Sequence, residues 1–258
     1  MYFEIFKGIF LPFLGTALGS ACVFFMRNTM KRTIKQAISG FAAGVMIAAS
    51  VWSLLIPALE YESVKSLGVF SFLPAAIGLW FGIAFLLIMD KILPEPNIAS
   101  SELCQLKESK MLVLSVALHN LPEGMAVGVV YAALLSSNSL AGLSGALALS
   151  LGIAVQNFPE GAIVSMPLAS EGIKKSKSFL YGVLSGAIEP VGAIITLLAI
   201  SFILPLLPYL LGFAAGAMIY AVIKELSPII TEDSESNIGI ISFGMGFSFM
   251  MILDVALG

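Results

Sequence analysis

Uncharged apolar runs of membrane-spanning length recur along this chain, and they constrain its fold more than any other feature. A helix needs about 20 mainly apolar residues to cross about 30 Å of hydrocarbon. Only helices and closed barrels satisfy their backbone polar groups in lipid. The sequence therefore predicts an all-α membrane protein with eight transmembrane helices. The predicted spans cover approximately residues 8–26, 37–59, 69–89, 110–135, 140–168, 179–204, 210–226 and 238–257.

Composition agrees with this prediction, since 59% of the residues are hydrophobic and only 11% are charged. We therefore expect residues 1–258 to form a single polytopic domain. Eleven of the thirteen Lys and Arg residues fall in links from an odd-numbered to an even-numbered span, and only Lys7 and Lys65 fall on the other side. The positive-inside rule then predicts a multi-pass protein of the cytoplasmic membrane with both termini extracellular. The net charge of −3 offers no basic patch for nucleic acid.

Two distant spans share nearly the same octapeptide. GFAAGVMI occupies residues 40–47 in the second span, and GFAAGAMI occupies residues 212–219 in the seventh. These spans cross in opposite directions in the predicted topology, and such inverted repeats are typical of secondary transporters. We predict a 3+2+3 arrangement around spans four and five, although spans one and six show no comparable identity. Spans three and eight share a Gly, a Phe and an Asp at equal spacing: Gly82, Phe85 and Asp90 against Gly246, Phe249 and Asp254.

The central pair carries two related hexapeptides, HNLPEG at residues 119–124 and QNFPEG at residues 156–161. His119 and Glu123 are four residues apart and share one helix face, as do Gln156 and Glu160. The proline in each motif cannot donate to the carbonyl four residues earlier, so a backbone oxygen stays free near the carboxylate. Imidazole, amide oxygens and carboxylates in a dry environment are typical of a divalent-metal site.

A third carboxylate, Glu189, precedes a proline in the sixth span. Burying three carboxylates without a nearby Lys or Arg would cost several kcal/mol each unless a cation or protons offset the charge. Each residue also has a simpler interpretation. A single glutamate can face a water cavity, and a single histidine can be a packed core residue. Asn120 and Asn157 can hydrogen-bond across helices, and Met46 can be packing.

The succession of HNLPEG, QNFPEG and SGAIEP resembles the ZIP family of divalent-metal transporters, and the glutamine resembles its GufA-like bacterial branch. The resemblance implies one metal site, with Met46 contributing, and a neighbouring site that shares Glu123 and Glu160 as bridges. Several relatives carry aspartate where Asn157 stands, and loss of that charge weakens the neighbouring site. The first site would comprise His119, Glu123, Gln156 and Glu160, and the second Asn120, Glu123, Asn157, Glu160 and Glu189.

The expected function is import of Zn²⁺ or a similar ion (Fe²⁺, Mn²⁺ or Cd²⁺), with the direction implied by the resemblance alone. The metal is the substrate, and we expect neither a catalytic cofactor nor enzymatic activity. The expected partners are the lipid bilayer and divalent metal ions, with a homodimer as a candidate assembly.

Two alternatives belong to other classes. An intramembrane metal-dependent hydrolase commonly needs two or three histidines, and this chain has one. A proton-coupled carrier of an organic cation would explain the carboxylates but not the repeated spacing of the motifs.

Overall fold

The computed structural model describes residues 2–26, 31–61, 64, 66–92, 102–135, 142–170, 172–199, 204–232 and 236–257, without the side chains of 2, 102–116, 118, 119, 163, 167, 204 and 257. These ranges are helical almost throughout. The α-helices are α1 (Tyr2–Phe25), α2 (Arg32–Ala49), α3 (Ile56–Glu60), α4 (Leu73–Ile92), α5 (Glu102–Leu135), α6 (Leu143–Ser170), α7 (Lys175–Gly186), α8 (Ile188–Leu198), α9 (Leu207–Ala221), α10 (Ser227–Ile230) and α11 (Ile238–Leu257).

The predicted all-α membrane fold is confirmed. Within the described ranges, seven helical stretches are long and apolar enough to cross a membrane, and the remaining crossing is the apolar half of α5 from Asn120 to Leu135. α5 begins at Glu102, well before the predicted start at residue 110. The sixth span is broken at Ala187 into α7 and α8, because Pro190 has no N–H to donate to the carbonyl of Gly186. The turn expected at residues 136–139 lies outside the described residues.

The helices pack as parallel pairs that meet at glycines. A Cβ atom at Gly15 would overlap the carbonyl oxygen of Ala154, and one at Gly19 would overlap that of Phe158. Both contacts advance by four residues along each helix, so α1 and α6 run in the same direction. Glycine contacts of this kind also join α2 to α11, α4 to α9 and α5 to α8. Small residues let transmembrane helices approach closely where lipid provides no hydrophobic driving force.

The packing follows the inverted repeat read from the sequence. Gly246 of α11 packs on the Phe41 carbonyl of α2, and Gly82 of α4 packs in the same way on Phe213 of α9. Aromatic contacts repeat this correspondence. The ring pairs are Phe41–Phe249 at 5.9 Å and Phe85–Phe213 at 5.5 Å between centroids.

The first and sixth spans occupy equivalent places although their sequences show no identity comparable to that of spans two and seven. Gly161 of α6 packs on the backbone of Thr16 in α1, and Gly124 of α5 packs on the backbone of Glu189 in α8. The glycine that ends each hexapeptide, HNLPEG or QNFPEG (the PEG motifs), therefore contacts one of these two spans. The repeat thus extends to the residues beside both motifs.

Two π-helical turns interrupt the repeat helices at equivalent positions, which the sequence analysis did not anticipate. They cover Ser50–Leu55 after α2 and Val222–Leu226 after α9. The amide of Ile56 donates to the carbonyl of Val51, and the amide of Ser227 donates to that of Val222, each five residues back. A proline follows at the start of α3 and of α10 and cannot donate within a regular helix. The extra residue in each turn rotates the side chains that follow it.

The helices form two groups whose interface contains the motifs. We call α1, α5, α6, α7 and α8 the motif group, and α2, α4, α9 and α11 the repeat group, because each set packs mainly within itself. The main contacts between the groups join α2 to α6 and α9 to α5. Both PEG motifs therefore lie on helices that face the other group.

Candidate metal centre

A cavity of about 90 Å³ lies between the two groups at the level of the motifs. Five of the predicted site residues line it, together with apolar residues from both groups and one further carboxylate. The predicted residues are Met46, Asn120, Glu123, Gln156 and Glu160, and the others are Ala42, Val164, Ala221, Glu225, Leu226 and Ile229.

Glu123 and Gln156 are joined directly across the motif pair. The Gln156 amide donates from Nε2 to Oε1 of Glu123 at 2.8 Å. Both residues are buried, with 3% and 1% of their surfaces exposed. This contact leaves Glu123 Oε2 and Gln156 Oε1 without a hydrogen-bond partner among the described residues. Buried polar atoms are rarely left unpaired, so two such acceptors beside one cavity favour a cation as their missing partner.

Glu160 is half-buried and lies on the same cavity wall, one helical turn beyond Gln156. Its carboxylate interacts electrostatically with those of Glu123 and Glu225. Like charges gathered in a membrane interior are unfavourable without a counter-ion. The lining is therefore suited to a divalent cation.

Sequence analysis overlooked Glu225. This residue sits beside Lys224 at the predicted end of the seventh span, where a charged pair usually marks a membrane boundary. Glu225 lies in the π-helical turn Val222–Leu226 and lines the cavity. The octapeptide repeat aligns Glu225 with the uncharged Ser53, so the repeat carries no signal for its role.

Asn157 and Glu189 lie beside the cavity and are not among the residues that line it. The Glu189 carboxylate accepts hydrogen bonds from Thr16 Oγ1 at 3.0 Å, Asn120 Nδ2 at 3.3 Å and Asn157 Nδ2 at 2.8 Å. Asn120 Nδ2 also donates to the carbonyl of Ser185 at 3.2 Å. Glu189 therefore has donors on both oxygens, unlike Glu123.

His119 lies on α5 one turn before Glu123, and its side chain is outside the described residues. The described part of the chain contains no group of three His, Cys, Asp or Glu residues placed to hold a metal. A metal in the cavity would therefore need amide oxygens beside the carboxylates, or His119. Such a mixed ligand set suits a first-row divalent ion.

Comparison with known proteins agrees with the geometry. The family model described as ZIP Zinc transporter matches residues 95–254. The zinc transporter ZIP11 of Xenopus tropicalis is 34% identical over 317 aligned residues, covering 94% of this chain and 94% of that protein. Zinc transporter ZIPB of Bordetella bronchiseptica is 34% identical over 251 residues, with 95% and 79% covered. Zinc transporter GufA of Myxococcus xanthus is 32% identical over 250 residues, with 95% and 96% covered. Paired motifs on a shared cavity and relatives matched over nearly their whole length lead to one conclusion: this chain belongs to the ZIP family of zinc transporters.

Proposed function

We propose that this chain is a secondary transporter that imports Zn²⁺, or a similar ion such as Fe²⁺, Mn²⁺ or Cd²⁺, across the cytoplasmic membrane. The ion binds in the cavity at Glu123, Gln156 and Glu160, with His119 as the imidazole ligand and Met46 contributing a thioether. The metal is the cargo, and the chain performs no chemical reaction on it.

The observation that carries this proposal is the pair of unpartnered buried oxygens, Glu123 Oε2 and Gln156 Oε1, at a cavity lined by further carboxylates. The contact between Gln156 Nε2 and Glu123 Oε1 fixes the orientation of both side chains. Each then presents an oxygen that no described protein group satisfies. A divalent cation can supply the missing contacts and offset the negative charge.

The distribution of Lys and Arg supports an orientation in the membrane with both termini outside the cell. The cavity runs from Gln156 through Glu160 to Val164 along α6, towards the end of that helix that is cytoplasmic in this topology. A second pocket of about 320 Å³ lies at the other end, lined by Trp52, Asp254 and Leu149 among others. In this proposed topology the metal site opens towards the cytoplasm.

Transport requires the site to open in turn to each side. The cavity and the second pocket are both lined by residues of both groups. Movement of the motif group against the repeat group would close one and widen the other. Coupling is to the ion gradient or to protons, because the sequence contains no ATP-binding motif.

Loss of either cavity glutamate tests the proposal. Glu123→Gln and Glu160→Gln preserve side-chain size and remove one charge from the cavity. We expect Zn²⁺ uptake into proteoliposomes to fall by about 100-fold or more, since even outer partners of metal ligands are worth about 10–100-fold. The measurement is the initial rate of uptake reported by an encapsulated zinc-sensitive dye.

Glu4→Gln is the matched control, because Glu4 pairs with Lys7 at the start of α1, away from the cavity. It should transport like the unchanged protein. Normal uptake by either cavity variant, at equal amounts of folded protein, would contradict the proposed site.

A further inference from the structure

Glu189 differs from Glu123 in how its hydrogen bonds are satisfied, although Oδ1 of the neighbouring Asn157 has no described partner. Both carboxylate oxygens of Glu189 accept from protein donors, and the residue is 1% exposed. Asn157, 0% exposed, donates its Nδ2 to Glu189 and, at 3.5 Å, to the carbonyl of Pro12. With Asn120, three donors take up three of the about four acceptor sites of the carboxylate, which leaves little room for a metal to approach it.

We infer that Thr16, Asn157 and Glu189 form a hydrogen-bonded brace in place of a second metal site, and that the transport site of this chain holds one divalent ion. The inference rests on the proposed function for the cavity itself. Together with Asn120, which also donates to Glu189, the brace joins four helices of the motif group: Thr16 is on α1, Asn120 on α5, Asn157 on α6 and Glu189 on α8.

The residue type at position 157 carries the first step of this argument. An amide can donate to Glu189, as Asn157 does at 2.8 Å. An ionised aspartate at the same place could only accept, and two adjoining carboxylates would need a cation or a shared proton between them. The asparagine therefore makes a second cation unnecessary at this position.

The brace acts on the cavity through Asn120. The Asn120 amide nitrogen is held by Glu189 Oε1 and by the carbonyl of Ser185. Its oxygen has no described partner, and the residue lines the cavity. Glu189 is thus a positioning residue, which holds an amide whose oxygen remains available to the single ion.

Thr16 supplies the donor that no sequence motif indicated. Its hydroxyl reaches Glu189 Oε1, the same oxygen that accepts from Asn120. Without that hydroxyl only the two asparagine amides hold the carboxylate, and the orientation of Asn120 is less firmly fixed. A partner of this kind is typically worth about 10–100-fold in metal affinity.

The first arm of the test measures the number of Zn²⁺ ions bound per chain in purified protein, by calorimetry together with metal analysis. Asn157→Asp should bind one more ion than the unchanged protein. Glu123→Gln should lose the ion that the unchanged protein holds in the cavity. Equal stoichiometry in the unchanged protein and Asn157→Asp would overturn the brace, whereas no effect of Glu123→Gln would instead contradict the proposed function.

The second arm of the test removes the hydroxyl of Thr16. Thr16→Val should weaken Zn²⁺ binding about tenfold with the number of ions unchanged, and Thr16→Ser should restore it. Thr196→Val is the control, because Thr196 is buried in α8 and donates only within its own helix, to Gly192. Tighter binding or an added ion in Thr16→Val would show that Glu189 is a metal ligand released from a competing donor. If Thr16→Val does not fold, the stoichiometry of Asn157→Asp still decides between the two.

Discussion

At the scale of single residues, the two motifs look equivalent in sequence and differ in the structure. Asn120 and Asn157 follow the first residue of each motif, yet only Asn120 lines the cavity. Helical spacing specifies which face a residue shares with its neighbours, but the partner opposite that face depends on the packing of other helices. Asn157 faces α1 and α8, where its Nδ2 donates to Glu189 and to the carbonyl of Pro12.

Glu225 is the residue whose role depends most on local backbone geometry. Glu225 lines the cavity together with Glu160 and Ile229. A carboxylate lining a cleft raises the local cation concentration by about tenfold or more. Glu225→Gln should therefore slow Zn²⁺ uptake about tenfold at subsaturating metal.

The neighbouring substitution Lys224→Gln serves as the control, since Lys224 lines a different pocket with Tyr220 and Ile223. Initial uptake rates over a range of Zn²⁺ concentrations distinguish the two variants. Equal rates in Glu225→Gln and Lys224→Gln would mean that the ion does not pass close to position 225.

At the scale of helices, the sequence predicted most of the elements and few of their contacts. Apolar run length placed the eight crossings because lipid thickness imposes it. The shared octapeptide predicted that α2 and α9 are related by an inverted repeat. The glycine contacts confirm it, because α2 packs on α11 in the same way as α9 packs on α4. The π-helical turns could not be predicted, because Pro57 and Pro228 indicate only that regular hydrogen bonding is interrupted and not how the chain accommodates it.

Glycine contacts between parallel helices should be sensitive to a single methyl group. A Cβ at Gly44 would overlap the carbonyl oxygen of Phe243, whereas one at Gly244 would meet no atom within 4 Å. Gly44→Ala should destabilise the protein by about 1–3 kcal/mol through overpacking. Gly244→Ala should be neutral or stabilising by up to about 1 kcal/mol, because alanine favours helix.

Thermal unfolding of the two variants in the same detergent is the measurement. A change of 1 kcal/mol corresponds to about 2–4 °C for a chain of this size. The order of melting temperatures should be Gly44→Ala below the unchanged protein and Gly244→Ala at or above it. A melting temperature of Gly44→Ala equal to that of Gly244→Ala would show that α2 and α11 do not pack tightly at this position.

At the scale of the whole molecule, the site lies where two groups of helices meet rather than within either. The repeat group is built from two glycine-joined pairs related by the inverted repeat, and the motif group holds the PEG motifs. Few hydrogen bonds cross between them: the described side-chain contacts of Asn120, Gln156 and Glu189 all remain within the motif group. Each group can therefore move as a unit without breaking the polar contacts of the site.

Relative movement of the two groups can be tested at the second pocket, which both of them line. Gly142 directly precedes α6 of the motif group and is exposed, whereas Ile56 and Val255 lie on the repeat side. In a variant without Cys22 and Cys104, a bifunctional thiol reagent that joins Gly142→Cys to Val255→Cys should hold the pocket closed and stop Zn²⁺ uptake. The same reagent joining Ile56→Cys to Val255→Cys should leave uptake unchanged, because both positions move together. Metal binding to the cross-linked protein should persist in both, since the cavity at Glu123 stays open on its other side. Undiminished uptake in the Gly142–Val255 cross-link would show that transport does not require the groups to separate at this pocket.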